Sequence, residues 1–173
     1  MEKIAAYILG DVVSTNSSDA FSLNQKSNFG EKKNGKIIYS PVEALYLLEK
    51  NKISVNSTGK KSLDFDELLN RFKRTDKKIQ TKYPVFRDLR EKGYVVKTAL
   101  KFGAEFRVYD KGAKVGEKHS RWVVFTDRES KSMTWQEFSS KNRVAHSTKK
   151  NLLLAILDEE GDISYYEVKW VKP

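Results

Sequence analysis

Apolar positions along this chain change period several times, and each change predicts an element. Residues 4–13, Ile4 to Val13, alternate imperfectly between apolar and polar and predict a strand, with polar punctuation following around Ser14-Thr15-Asn16-Ser17-Ser18-Asp19. Asn34-Gly35 predicts a hairpin turn, since both residues accept the positive φ such turns require. Ser40-Pro41-Val42-Glu43 places a capping serine, a first-turn proline and a reciprocal glutamate directly before Ala44-Leu45-Tyr46-Leu47-Leu48, which predicts a helix start. Phe65, Leu68, Leu69 and Phe72 recur at helical spacing and predict a second helix with one core-facing stripe. The basic stretch Arg71-Phe72-Lys73-Arg74-Thr75-Asp76-Lys77-Lys78 reads as a solvated helix end or as an RNA-contacting patch. Tyr83 to Lys92 predicts a further helix, stopped by Gly93.

Beyond Gly93 the pattern shortens to period two. Strands are predicted over Tyr94–Leu100, Glu105–Tyr109, Arg121–Thr126, Leu152–Leu157 and Ile163–Val171, with a capped helix opening at Thr134 and Glu137 in the reciprocal position. The expectation is an α/β (α+β) protein in two parts, a small N-terminal α/β domain over 1–80 and a C-terminal mixed-sheet domain over 81–173.

Charge narrows the class of partner. The net charge is +10, and it is spread: residues 1–80 carry 14 basic and 10 acidic side chains and residues 81–173 carry 19 and 13. A folded chain of this kind favours a polyanion through counterion release. With no cysteine and two histidines, disulfides, thiol catalysis and Cys-ligated zinc are excluded and no metal or other cofactor is expected. No apolar run approaches the roughly 20 residues that cross a bilayer, and the stretch leading to Tyr7 lacks a cleavable-signal pattern, so a cytoplasmic protein with no membrane partner is expected.

Candidate chemistry concentrates in three segments. Arg143-Val144-Ala145-His146-Ser147-Thr148-Lys149-Lys150 sets cations at the mouth of the apolar strand Leu152–Leu157, which suits a phosphate. Lys101 to Tyr109 and Gly116-Glu117-Lys118-His119-Ser120 add a tyrosine at a strand end and a histidine in a loop. RNA is cut without metal when a base removes the 2′-OH proton, an acid protonates the departing 5′-oxygen and a cation stabilises the charged transition state. His119 suits the acid, since an imidazole in general titrates near neutrality, at about 6.5. Lys150 suits charge stabilisation. Tyr109 is the candidate base, a role a phenol with a pKa of about 10 fills only when neighbouring cations favour its anion, and otherwise it is a half-buried packing tyrosine. His146 is an alternative acid or a structural histidine.

These segments resemble the archaeal tRNA-splicing (tRNA-intron) endonucleases. The resemblance is carried by Tyr83-Pro84-Val85-Phe86-Arg87-Asp88-Leu89-Arg90-Glu91-Lys92-Gly93-Tyr94-Val95-Val96-Lys97, by Leu100 to Tyr109, by His119-Ser120, by Arg143 to Lys150 and by Asp162-Ile163-Ser164-Tyr165-Tyr166, in the family's order and spacing; residues 1–80 are only generally compatible with the family's N-terminal domain. It implies a restriction-endonuclease-like catalytic domain and a metal-independent endoribonuclease that cuts precursor tRNA at a bulge-helix-bulge motif, leaving 2′,3′-cyclic phosphate and 5′-OH ends. It assigns the general base to Tyr109, the general acid to His119 and the stabilising lysine to Lys150, with Lys149 as a basic RNA-binding neighbour and Arg143 stacking on a flipped base. It further implies a homotetramer, or a heterotetramer with a structural subunit, in which the acidic turn Asp158, Glu159, Glu160 and Asp162 docks into another subunit. The other reading is a non-catalytic structural subunit or a basic RNA-binding module, which would be expected to lack one of the three catalytic side chains.

Overall fold

The computed structural model describes residues 3–59 and 62–173; Met1, Glu2, Lys60 and Lys61 lie outside the described residues. The chain divides into two compact units between Tyr83 and Pro84, inside one helix. Each unit is built on one mixed sheet.

The first unit carries six strands in the order β3-β4-β2-β1-β5-β6, comprising β1 (Ile4–Leu9), β2 (Val12–Thr15), β3 (Glu31–Lys33), β4 (Lys36–Tyr39), β5 (Ile53–Asn56) and β6 (Ser62–Leu63). The single strand expected over 4–13 is a hairpin: the chain reverses at Gly10, whose φ of 60° suits the turn, and Val12-Val13 return alongside Ile8-Leu9. The polar punctuation after it conceals a helix, α1 (Ser18–Ser27), capped by the Ser17 side chain accepting from the Asp19 N–H. Asn34 and Gly35, at φ 50° and 70°, close the β3–β4 hairpin as the sequence predicts. Helix α2 (Pro41–Glu49) opens on the capping box of Ser40 and Glu43, and α3 (Phe65–Lys73) opens on a second box of Asp64 and Glu67. Leu68 and Phe72 are fully buried on the predicted stripe of α3.

Helix α4 (Ile79–Glu91) begins four residues before the predicted Tyr83, since Asp76 turns the chain and its carboxylate accepts from the Lys78 N–H. Pro84 is tolerated within it.

The second unit is a five-stranded sheet ordered β11-β10-β9-β8-β7, with β7 (Val95–Ala99), β8 (Ala104–Tyr109), β9 (Trp122–Arg128), β10 (Asn151–Leu157) and β11 (Ile163–Val168). A 3₁₀ turn over Leu100–Phe102 joins β7 to β8. Only β9 and β10 are parallel, joined by the crossover helix α5 (Trp135–Ser147), which starts on the predicted Thr134–Glu137 box. Val123, Phe125, Leu152, Ala99, Ala104 and Ala145 form a buried cluster between this sheet and α5. On the other side, Phe86 of α4 packs its ring 5.8 Å from that of Phe106. Strand β11 stops at Val168, short of the predicted Val171, and leaves Trp170 and Val171 exposed beyond the sheet edge.

Candidate active site

Three strand ends meet at one edge of the C-terminal sheet. Because β8 is antiparallel to β9 and β9 is parallel to β10, the end of β8 and the starts of β9 and β10 fall on the same side. The register makes a row of Val108, Trp122 and Asn151. One residue outward along each strand stand Tyr109, Arg121 and Lys150. The rim is tied by the Arg121 N–H donating to the Val108 carbonyl at 2.8 Å and the Asn151 N–H donating to the Arg121 carbonyl at 3.1 Å. His119 and Ser120 immediately precede Arg121. A cleft of about 410 Å³ opens here, and its lining brings together Tyr109, His119 and Lys150 with Phe102, Arg107, Glu117, Lys118 and Ser120.

Tyr109 is held by strand geometry. A register shift between Thr98 and Ala99 separates Ala104 from the rest of β8; beyond it, alternation sends Phe106 and Val108 to one face and Arg107 and Tyr109 to the other. The Tyr109 ring is nevertheless 4% exposed, since Val95 across the strand pair, Ala113 and Val115 enclose it. The Arg107 guanidinium carbon lies 6.0 Å from the centre of that ring, and Arg107 Nε is buried without a hydrogen-bond partner. Ser120 Oγ is buried and unpartnered in the same lining.

Lys150 is placed by the end of α5. The Lys149 N–H donates to the His146 carbonyl and the Lys150 N–H to the Ala145 carbonyl, at 3.0 and 2.9 Å, the paired bonds of a Schellman ending. That ending requires a left-handed residue. Lys149 supplies it, at φ 55°, where glycine is the unstrained choice. The next residue is thereby thrown from the helix axis onto the start of β10. Lys150 Nζ donates to the Thr148 carbonyl at 2.9 Å and sits 5.8 Å from the Phe102 ring. Burial, and after it the charge of Arg107, lowers the Lys150 pKa below that of an ordinary lysine.

His119 is exposed on the loop between β8 and β9, which is folded by the Ala113 N–H donating to the Asp110 carbonyl and the Lys118 N–H donating to the Lys114 carbonyl. It lines the cleft from that loop. His146, the alternative acid, lies elsewhere. It lines a separate pocket of about 390 Å³ with Arg143, Ser139, Asn142 and Trp170, its ring 4.8 Å from the Trp170 ring. Arg143 is exposed there, on α5, outside the cleft of Tyr109. Lys149 is exposed beside Lys150.

The acidic turn is an ordered loop between β10 and β11. The Asp158 carboxylate accepts from the Asp162 N–H at 2.8 Å, the Asp158 N–H donates to the Asp162 carbonyl at 3.0 Å, and Glu159, Glu160 and Asp162 are exposed. The sequence alone gives Arg107 no role, although its separation of two from Tyr109 on a strand is a readable signal that the two share a face. Ser120 carried no such signal, because nothing local shows that its hydroxyl is buried. Among the described residues, no three of His, Asp and Glu are grouped to hold a metal ion, and no helix is long and apolar enough to cross a membrane.

Comparison with known proteins converges on one family. Residues 79–165 match the tRNA intron endonuclease catalytic C-terminal domain, and residues 4–69 match the N-terminal domain of the same enzymes. The chain is 41% identical over 170 residues to the tRNA-splicing endonuclease of Thermococcus kodakarensis, covering 98% of this chain and 99% of that one. It is 42% identical over 170 residues to that of Pyrococcus horikoshii, with 98% and 97% covered, and 40% identical over 169 residues to that of Methanothermobacter thermautotrophicus, with 95% and 96% covered. With both domain models matched in order and relatives aligned almost end to end, the chain belongs to the tRNA intron endonuclease family.

Proposed function

We propose that this chain is a tRNA-splicing endonuclease that cuts precursor tRNA at its exon–intron junctions within a bulge-helix-bulge motif, and that the cleft at the edge of the C-terminal sheet does the cutting. The observation that carries the reading is the convergence of Tyr109, His119 and Lys150 from three different segments onto one cleft. In the reaction Tyr109 takes the proton from the 2′-OH as that oxygen bonds to phosphorus. The phosphorus–5′-oxygen bond breaks, and His119 gives a proton to the departing oxygen. The products are a 2′,3′-cyclic phosphate and a 5′-OH. Lys150 stabilises the charge that builds on the phosphate. No step calls for a metal. Arg143, exposed on α5 and planar, stacks on a bulged base, and Lys149 contacts the RNA backbone.

The assembly is a tetramer, of four copies or with a structural subunit. What supports this is the chemistry of two surfaces: an ordered acidic tip in a protein of net charge +10, and the edge strand β11 with Tyr166 and, past its end, Trp170 and Val171 exposed. The test of the activity is cleavage of a model precursor by the purified chain in excess EDTA, with analysis of the product ends and the native mass. Sustained cleavage to cyclic-phosphate ends is expected. Activity that dies in EDTA and returns with Mg²⁺ but not with polyamines overturns the metal-free chemistry.

A further inference from the structure

Arg107 is a charged side chain of the cleft for which base, acid and stabilising lysine leave no task. It stands on β8 two residues before Tyr109, so strand period alone puts both on one face. It lines the cleft with Lys150, and its charge opposes the Lys150 ammonium. Two cations held against each other are unfavourable for the fold unless an anion stands between them. The carboxylate in the cleft lining, Glu117, is exposed on the loop, where water screens its charge. Arg107 Nε and Ser120 Oγ are buried polar atoms with no hydrogen-bond partner, and groups of that kind in a folded protein call for an explanation. A phosphate supplies one. It offsets the positive charge and brings several acceptor oxygens, and a guanidinium presents a planar fork to two of them where an ammonium offers only a point charge.

We propose that Arg107 is a further catalytic residue, its guanidinium hydrogen-bonding a non-bridging oxygen of the phosphate being cut while Lys150 neutralises the charge that develops there. The assignment rests on reading the cleft as the site of cleavage. Arg107 then acts most strongly as the phosphate becomes five-coordinate, when its equatorial oxygens carry the most charge.

The experiment is single-turnover cleavage of a model precursor carrying a phosphorothioate at the scissile position, one diastereomer at a time, by the assembled protein. Arg107→Gln is expected to slow cleavage about 10²–10³-fold, as for the loss of one oxyanion donor, with much less change in precursor affinity. Arg107→Lys is expected to recover part of the rate. The penalty that sulfur imposes on the wild type in one diastereomer is expected to shrink in Arg107→Gln, because the donor that discriminates oxygen from sulfur is gone. A packing role alone leaves that penalty unchanged. Wild-type rates in Arg107→Gln, or an undiminished sulfur penalty, overturn the proposal. If Arg107→Gln fails to fold, the same comparison is made on Arg107→Lys, where an unaltered penalty overturns it equally. Inactive Lys150→Ala and His119→Ala beside a fully active Arg107→Gln would remove Arg107 alone. Full activity in all three would remove the reading of the cleft.

Discussion

Two helices that end in the second unit close with the same backbone motif, and the residue at its left-handed position differs. At the end of α4 the Gly93 N–H donates to the Arg90 carbonyl and the Tyr94 N–H to the Leu89 carbonyl, at 3.0 and 3.1 Å, with Gly93 at φ 92°. At the end of α5 the same pair of bonds forms around Lys149 at φ 55°. Glycine occupies that conformation freely, whereas an L side chain pays in strain there, on the order of 1–2 kcal/mol. The α4 ending only turns the chain into β7. The α5 ending delivers Lys150 to the cleft and leaves a cation exposed beside it. Strain is thus kept at the ending that feeds the cleft and absent from the one that only turns the chain, which fits the cleft's proposed role.

The comparison breaks most visibly at the cleft. His119→Ala is expected to lower the cleavage step about 10²–10⁴-fold, the cost of a general acid, while His146→Ala stays near wild type. The reverse result in single-turnover assays would move the acid to the Arg143 pocket. Lys150→Ala is expected to lower the rate about 10²–10³-fold with a far smaller change in precursor affinity. Equal losses in rate and affinity would make it an ordinary phosphate contact.

The lowered pKa of Lys150 also has a sign that can be checked. On the proposed role the ammonium is the active form, so the rate is expected to fall as pH rises through that pKa, and to begin falling at lower pH than for a solvated lysine. Because burial disfavours the charged form in the fold, Lys150→Met is expected to melt no lower than the wild type at neutral pH. A pH–rate profile of the cleavage step and a thermal melt read the two expectations.

The smallest effects bear on the helix endings themselves. Gly93→Ala is expected to cost about 1–2 kcal/mol, since its φ of 92° and not crowding is the obstacle: the nearest atom to an added Cβ would be Lys111 Cδ at 3.6 Å. Its single-turnover rate per folded molecule should not change. Lys149→Gly is expected to shift stability the other way, by up to about 1 kcal/mol, with a weaker grip on RNA and a rate loss far smaller than that of Lys150→Ala. A denaturant melt in which Lys149→Gly is markedly destabilised would show that the αL position carries no strain.

Local chemistry made much of the fold legible. The capping boxes at Ser40 and Thr134, the Asn34-Gly35 turn, the stripe of Leu68 and Phe72 and the stop at Gly93 each act through neighbours a few residues away, so they can be read without the fold. Where two local signals compete, reading failed. Gly10 broke an alternation that continued on both sides of it, and Ser17 looked like loop when it was a cap. In the site, Tyr109, His119 and Lys150 were expected to act in one reaction from their residue types and the family resemblance, but the geometry that brings them together could not be read locally. That depends on β9 and β10 pairing in parallel across α5 and on β8 lying antiparallel beside β9. Strand order and register are settled by how whole faces pack, over separations no sequence window spans. The same tertiary register set Arg107 against Lys150, buried its Nε without a partner, and put His146 with Arg143 and Trp170 instead of in the cleft. Residue chemistry and local backbone preference were thus determined by the sequence by itself; which of those residues share a charge field was decided only when the sheet closed, because electrostatic coupling depends on distance in space and on exclusion of water.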